Sequence, residues 1–314
     1  MRSSRRLERI PPYLFAELER KVSAKRAAGI DVISLGIGDP DMPTFEPIVA
    51  AAQRAVADPS THTYPTNRGR REFREAVAEF YQRRFGVALD PETEVMPAIG
   101  AKECIFNLNL AFLDHDDVAL AADPGYPVYT GGPLMAGAEP VLMPLQPERG
   151  FAPDLDAIPP ETLERARLLF FNYPNNPTGA VAPPGLFEQV VRLAGERELL
   201  AVHDNAYSEI TFGGYVAPSF LQTAGAKDVG VEVFSLSKGY NMTGWRCAAI
   251  VGNAEAISHY WRLKSNIDSG LFDAVQLAGA VALSPEVDVQ VRGMNYIYQR
   301  RRDLVCDALA QAGV

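Results

Sequence analysis

The chain is poor in the residues that staple small folds or hold metals, with 3 cysteines and 4 histidines among 314 residues. Cys104, Cys247 and Cys306 are widely separated and form no C-x-x-C pair, which argues against a disulfide framework and against a zinc site. They are expected to be buried thiols of a reducing compartment. His62, His115, His203 and His259 include no H-E-x-x-H pair, so no residue is assigned to a metal. Basic residues are also short, 30 Lys and Arg against 39 Asp and Glu, and a formal charge of -9 has the wrong sign for a nucleic-acid surface. Nothing approaches the roughly 18 consecutive apolar residues of a membrane span. Met1 to Arg9 is basic but leads into Pro11 and Pro12 rather than an apolar signal core. A cytoplasmic protein with neither membrane nor nucleic-acid partners is expected.

What is present reads as an ordinary globular chain, with 47% hydrophobic and 22% charged residues. A chain of this length buries roughly 75% of its extended surface on folding and can hold one large domain or two ordinary ones. Short apolar runs alternate with longer segments of helical period, the pattern of a parallel sheet flanked by helices. Helices are expected from Gly69 to Phe85, with Phe73, Ala76, Val77, Phe80 and Tyr81 on one face and Gly86 as the stop, and around Leu186, Phe187, Val190, Val191 and Ala194. Ser284-Pro285-Glu286 reads as an N-cap, a first-turn proline and an early acid, and the helical pattern persists to Ala312, roughly 40 Å at 1.5 Å per residue.

Five strand ends carry unusual chemistry. Val95 to Ile99 runs into Gly100-Ala101-Lys102, where a glycine opening a helix exposes N–H groups and a positive dipole end to an anion. Val118 to Ala122 runs into Asp123-Pro124-Gly125-Tyr126-Pro127-Val128-Tyr129, a stiff turn that holds an aromatic ring. Leu168 to Phe171 leads to Asn172-Tyr173-Pro174-Asn175-Asn176-Pro177-Thr178-Gly179, and Leu199 to Val202 leads to His203-Asp204-Asn205-Ala206-Tyr207. Val231 to Leu236 ends at Ser235, Ser237 and Lys238, with Arg246 eight residues on. Two hydroxyls and a planar guanidinium suit a phosphate, and a lysine near another cation suits condensation with a carbonyl. Singly, Asp204 reads as an N-cap, Tyr126 as packing and Asn176 as a turn residue. In a parallel sheet, however, all the strand carboxyl ends face one crevice. A phosphate nest, a flat aromatic, an amide, an acid and a lysine converging there form the inventory that pyridoxal 5'-phosphate requires.

Asn-Asn-Pro-Thr-Gly at 175 to 179, Asp204 to Tyr207 and Ser235 to Arg246, in this order and spacing, resemble the fold type I pyridoxal-phosphate aminotransferases of class I/II. Leu35-Gly36-Ile37-Gly38-Asp39-Pro40-Asp41 and Arg262-Leu263-Lys264-Ser265-Asn266-Ile267-Asp268-Ser269-Gly270 look most like the branch of LL-diaminopimelate, aspartate and alanine enzymes. The resemblance covers nearly the whole chain and implies an α/β fold of three layers, α/β/α, with a mostly parallel sheet. It implies ping-pong transfer of an amino group from an L-amino acid to a 2-oxo acid, with glutamate and 2-oxoglutarate as a co-substrate pair. By position, Lys238 carries the cofactor and then moves the α-proton, and Asp204 pairs with the pyridine nitrogen. Tyr207 and Asn176 bond the phenolic oxygen, Tyr126 stacks on the ring, and Gly100, Ala101, Lys102, Ser235, Ser237 and Arg246 hold the phosphate. Tyr64 is supplied by the partner of a homodimer. Ile37 and Gly38, with Asn176, line the substrate side. As a dinucleotide fingerprint Gly36-Ile37-Gly38 fails, because position 41 is aspartate.

The resemblance also implies a carboxylate-binding arginine in a C-terminal small domain, for which this sequence has no counterpart before Val314. A fragment of a longer protein is therefore expected, with residues 1–39 as the N-terminal arm and part of a small domain, 40–284 as the cofactor-binding domain, and 285–314 as a bridging helix. Lys264 and Asn266 are candidates to meet a distal substrate carboxylate in a neighbouring site, the alternative being a solvated helix-end lysine. Two rival functions share the scaffold: a carbon–sulfur β-lyase, and a non-catalytic pyridoxal-binding regulator. The regulator is opposed by the acidic charge and by the want of a preceding helix-turn-helix pattern.

Overall fold

The computed structural model describes every residue except Tyr13, Leu35, Ile37 and Val314, and for Leu14 and Phe15 the backbone only. Its centre is a seven-stranded sheet. In chain order the strands are β1 (Val95–Ala98), β2 (Val118–Asp123), β3 (Glu139–Pro144), β4 (Ala166–Phe171), β5 (Leu200–Asn205), β6 (Gly230–Ser235) and β7 (Ala248–Gly252). The spatial order is β1-β7-β6-β5-β4-β2-β3. The pairs β2–β3, β2–β4, β4–β5 and β5–β6 are parallel, while β7 runs against both β6 and β1. All strands but β7 thus point the same way, and five of their carboxyl ends supply the chemistry described below.

The central strands read as continuous apolar runs because both faces of the sheet are covered. Neighbouring residues alternate between two cores: Phe171 and Phe234 belong to one, Phe170 and Val233 to the other. The first core packs Phe73, Val77, Phe80 and Tyr81 of helix Arg71–Phe85 and Leu186, Phe187, Val190 and Ala194 of helix Leu186–Arg197 against the sheet. Each large side chain so buried contributes about 1.5–3 kcal/mol. The second core holds Ile105 and Leu108 of helix Ala101–Phe112, Tyr129, and Ile257 and Tyr260 of helix Ala254–Lys264. The three-layer arrangement expected from the alternation is the one observed.

The boundaries differ from the sequence reading in instructive places. Gly86 ends its helix in the left-handed region, φ 68°, as the pattern implied. Ser284, by contrast, makes no cap bond, and Pro285–Val287 forms a separate 3-10 turn before the long helix Asp288–Gln311 begins. β3 and β7 had no reading at all. β3 is partly exposed and carries two prolines, and β7 follows the conspicuous lysine loop without a turn signal of its own. Cys104 and Cys247 are buried free thiols, but Cys306 is exposed, which corrects the expectation for the third cysteine. It sits on the outer half of the long helix, where every described residue from Arg300 onward is exposed. Among the described residues no helix is long and apolar enough to cross a membrane.

Candidate active site

A cavity of about 740 Å³ opens at the carboxyl ends of the parallel strands. Its walls include Ala101, Lys102, Tyr126, Asn176, Asp204, Tyr207, Ser235, Ser237, Lys238, Arg246 and Gly38, which unites most of the residues singled out from sequence. Ile37 lies outside the described residues, although Gly36 and Gly38 on either side of it line the cavity. Tyr64 is not in this wall; it is 86% exposed on the outer surface.

Asp204 sits near the end of β5 and is 6% exposed. Its Oδ2 accepts a hydrogen bond from the Tyr129 hydroxyl at 2.7 Å. Among the described residues its Oδ1 has no partner although it is fully buried. Burial raises its pKa to about 6, opposed by the Tyr129 hydrogen bond and by the charge of His203. A buried carboxylate oxygen left unpaired is costly, so it calls for a cationic N–H donor. Tyr129 is itself held by stacking on Phe170, ring centroids 5.5 Å apart and planes 7° from parallel.

The loop after β4 is organised by side chains that mimic backbone. Asn172 Nδ2 donates to the Asp204 carbonyl at 2.7 Å, and Asn172 Oδ1 accepts from Asn176 N–H at 2.7 Å. Asn175 Oδ1 accepts from the N–H and the hydroxyl of Thr178. Asn172 therefore ties the acid-bearing strand to the loop that presents Asn176. Tyr207 is raised to about 12 by burial and by the nearby Asp204 charge, while a hydrogen bond with Asn176 opposes the shift. At neutral pH its hydroxyl is a donor.

The anion-binding side has two halves in contact. Gly100 adopts φ 80° at the head of helix Ala101–Phe112, and a Cβ there would fall 2.2 Å from an Arg246 guanidinium nitrogen. Glycine is thus required by conformation, and a Cβ there would also displace the Arg246 guanidinium. Arg246, in the left-handed region at φ 56°, donates from Nη1 to the Thr243 carbonyl at 2.8 Å. Ser235 caps the short helix Leu236–Gly239 by accepting from Ser237 N–H at 3.2 Å, which sets Lys238 within that turn. Lys102 lies over the Tyr126 ring at 5.8 Å.

Lys238 shows an arrangement that the sequence reading lacked. Its Nζ donates to the Gly38 carbonyl at 3.2 Å and pairs with Asp39 Oδ1 at 3.4 Å. Asp39, Tyr129 and Asn172 are the site residues that sequence reasoning missed. Tyr129 was within reach, three positions after Tyr126 in the same stiff turn, but its role depends on the distance to Asp204. Lys264, offered as a substrate ligand or a solvated residue, is neither. It is 3% exposed and bound to Glu103 and Asp268. Asn266 is exposed, just past the end of helix Ala254–Lys264, and donates to the Arg262 carbonyl in that helix's last turn.

The cavity at these strand ends brings a lysine, a buried acid, two serines and an arginine together. The chain belongs to the family of aminotransferases of class I and II, whose model matches residues 30–314. It is 52% identical over 310 residues to the LL-diaminopimelate aminotransferase of Desulforudis audaxviator, covering 99% of this chain and 79% of that protein. It is 50% identical over 313 residues to the enzyme of the same name from Moorella thermoacetica, covering 100% of this chain and 80% of that protein. Among solved structures, BacF of Bacillus subtilis superposes with a TM-score of 0.93 at 38% identity, over 96% of this chain and 77% of that one. Aspartate aminotransferase of Thermus thermophilus, a single mutant, gives 0.91 at 32% identity, over 100% of this chain and 81% of that one. The chain is an aminotransferase, and the β-lyase and regulator alternatives are not favoured.

Proposed function

We propose that the cavity binds pyridoxal 5'-phosphate and that the enzyme moves the amino group of LL-diaminopimelate to a 2-oxo acid such as 2-oxoglutarate. The observation that carries the cofactor reading is Asp204 Oδ1, a fully buried carboxylate oxygen without a donor among the described residues, in the same cavity as Lys238. The cradle of Gly100 against Arg246, which a Cβ would fill, fits the phosphate. The substrate reading is supported by two LL-diaminopimelate aminotransferases at 50% identity or above across the chain.

When bound, the cofactor supplies a protonated heteroaromatic ring that withdraws electron density from the amino acid's α-carbon. Asp204, ionised above pH about 6 and shielded from water, holds the ring nitrogen's proton in place. Tyr207 and Asn176 would hold the cofactor's phenolic oxygen, and Tyr126 would pack against its ring. The helix start at Gly100-Ala101-Lys102, the hydroxyls of Ser235 and Ser237, and the Arg246 guanidinium hold the phosphate. Lys238 would hold the cofactor, and its Nζ is the base placed to take the substrate α-proton and return it. Gly38 would bound the substrate side.

Tyr64, exposed and outside its own cavity, fits a homodimer in which each copy completes the other's phosphate site. Residues 1–39, 40–284 and 285–314 are proposed as arm, cofactor domain and bridging helix, and the compartment as cytoplasmic. An absorption titration with pyridoxal phosphate, followed by LL-diaminopimelate, L-aspartate or L-alanine, tests this reading. A saturable band that depends on Lys238, and that converts with LL-diaminopimelate but not with the others, is the expected result. No band in wild type refutes the cofactor reading, and preferential conversion by aspartate or alanine refutes the substrate assignment.

A further inference from the structure

Helix Ala101–Phe112 carries an acid in its first turn, directly after the residues that would face the phosphate. Glu103 Oε2 accepts from Ile99 N–H at 3.0 Å, and the Tyr260 hydroxyl lies 3.1 Å from both carboxylate oxygens. Oε1 also accepts from Asn107 Nδ2 and from Lys264 Nζ, the latter at 3.3 Å. A first-turn acid stabilises a helix, but it also competes with an anionic ligand for the same positive end. Lys264 resolves that conflict. It reaches in from the last turn of helix Ala254–Lys264, is 3% exposed, and joins Glu103 to Asp268, whose Oδ2 lies 2.6 Å from Nζ.

The cluster also ties two walls of the molecule together. Asp268 Oδ1 accepts from Gly270 N–H at 2.8 Å, and a Cβ at Gly270 would come within 3.1 Å of Pro65, next to Tyr64. Without Lys264, two carboxylates would lie beside the anion-binding turn with no cation between them. A buried ammonium there costs desolvation that a leucine or methionine would avoid, so its presence points to a charge requirement.

We infer that Lys264 is a positioning residue for the phosphate: it offsets the Glu103 carboxylate and holds it on Ile99 N–H and Asn107, so that the helix start remains attractive to a phosphate dianion. This rests on the phosphate placement proposed above. Its action is on the ligand's charge, and therefore it discriminates between pyridoxal phosphate and pyridoxal, which lacks the phosphate.

The test is equilibrium binding of both compounds to the full chain, followed by absorption, for wild type, Lys264→Met, Glu103→Gln and the double variant. Lys264→Met is expected to weaken pyridoxal phosphate about tenfold with pyridoxal nearly unchanged, the size of one unit charge acting across a protein interior. Glu103→Gln alone is expected to strengthen pyridoxal phosphate about threefold relative to pyridoxal. The double variant should return close to the wild-type ratio, a rescue that mere loss of packing would not produce. Equal losses for both compounds in Lys264→Met, or no rise in the ratio for Glu103→Gln, would overturn the inference, and the second holds even where Lys264→Met does not fold. Failure of wild type to bind pyridoxal phosphate at all would instead remove the cofactor reading beneath it.

Discussion

Two carboxylates buried on adjacent strands face opposite fates. Glu232 on β6 is fully buried, and every oxygen is used: Oε1 meets His203 Nδ1 at 2.6 Å and accepts from Phe220 N–H at 2.8 Å, while Oε2 accepts from the Ser219 hydroxyl at 2.6 Å. Asp204 on β5 is almost as buried and has, among the described residues, a single side-chain donor, on Oδ2. His203 links them, paired across the sheet with Glu232 and next in the chain to Asp204. The contrast separates structural from functional burial. A saturated acid holds strands and the Ser219 turn together, whereas the open oxygen of Asp204 is the one proposed above to meet a ligand.

The largest effect expected around this comparison is at Lys238, where Lys238→Ala should lower turnover by more than about a thousandfold, because the amine that moves the α-proton is gone. Steady-state transamination, with circular dichroism to confirm folding, checks it. Asp204→Asn should lower kcat by about 10²–10³ without loss of stability, since the amide no longer stabilises a cation on the ring nitrogen. Glu232→Gln should do the reverse, costing about 3 kcal/mol in urea unfolding while leaving kcat within about twofold, because it breaks a buried pair that does not line the cavity. If Glu232→Gln abolishes turnover and spares stability, the distinction between the two acids fails.

A smaller effect concerns pH. The folded pKa of Asp204 is about 6, above the ordinary value of 3.8. In the cofactor-free chain the folded state therefore binds more protons than the unfolded state between these values. The stabilisation is complete below pH 3.8 and is lost as pH rises through about 6. Relative to Asp204→Asn, the wild-type chain should thus lose up to about 3 kcal/mol between pH 4 and pH 7. Thermal unfolding of both across that range measures it, and a difference that grows in the opposite direction would show that Asp204 finds a protein cation.

Much of this site was legible along the chain because its chemistry lies at strand ends. A polar residue directly after an apolar run, such as Asp204 or Lys238, is visible whatever the partner. Asn176, Tyr207 and Arg246 follow from the same logic, as does Gly100, whose positive φ and contact with Arg246 give the physical reason for a glycine. Tyr129 and Asn172 were not legible, since an aromatic ring and an amide become site residues only through what they touch in space. Lys264 was misread for the same reason: a lysine at a helix end reads as solvated until Glu103, 161 positions earlier, is brought beside it.

By itself the sequence determined the layered architecture, because runs apolar on both faces demand cover on both sides, and it determined the inventory of reactive groups, because those interrupt the runs. The tertiary structure alone decided which acids are satisfied and which are left open. It also put Asp39 against Lys238 and tied Asn172 to the Asp204 backbone. Pairing, burial and charge depend on contacts between residues far apart in the chain, and a local pattern carries no record of the distance that closes when the sheet assembles.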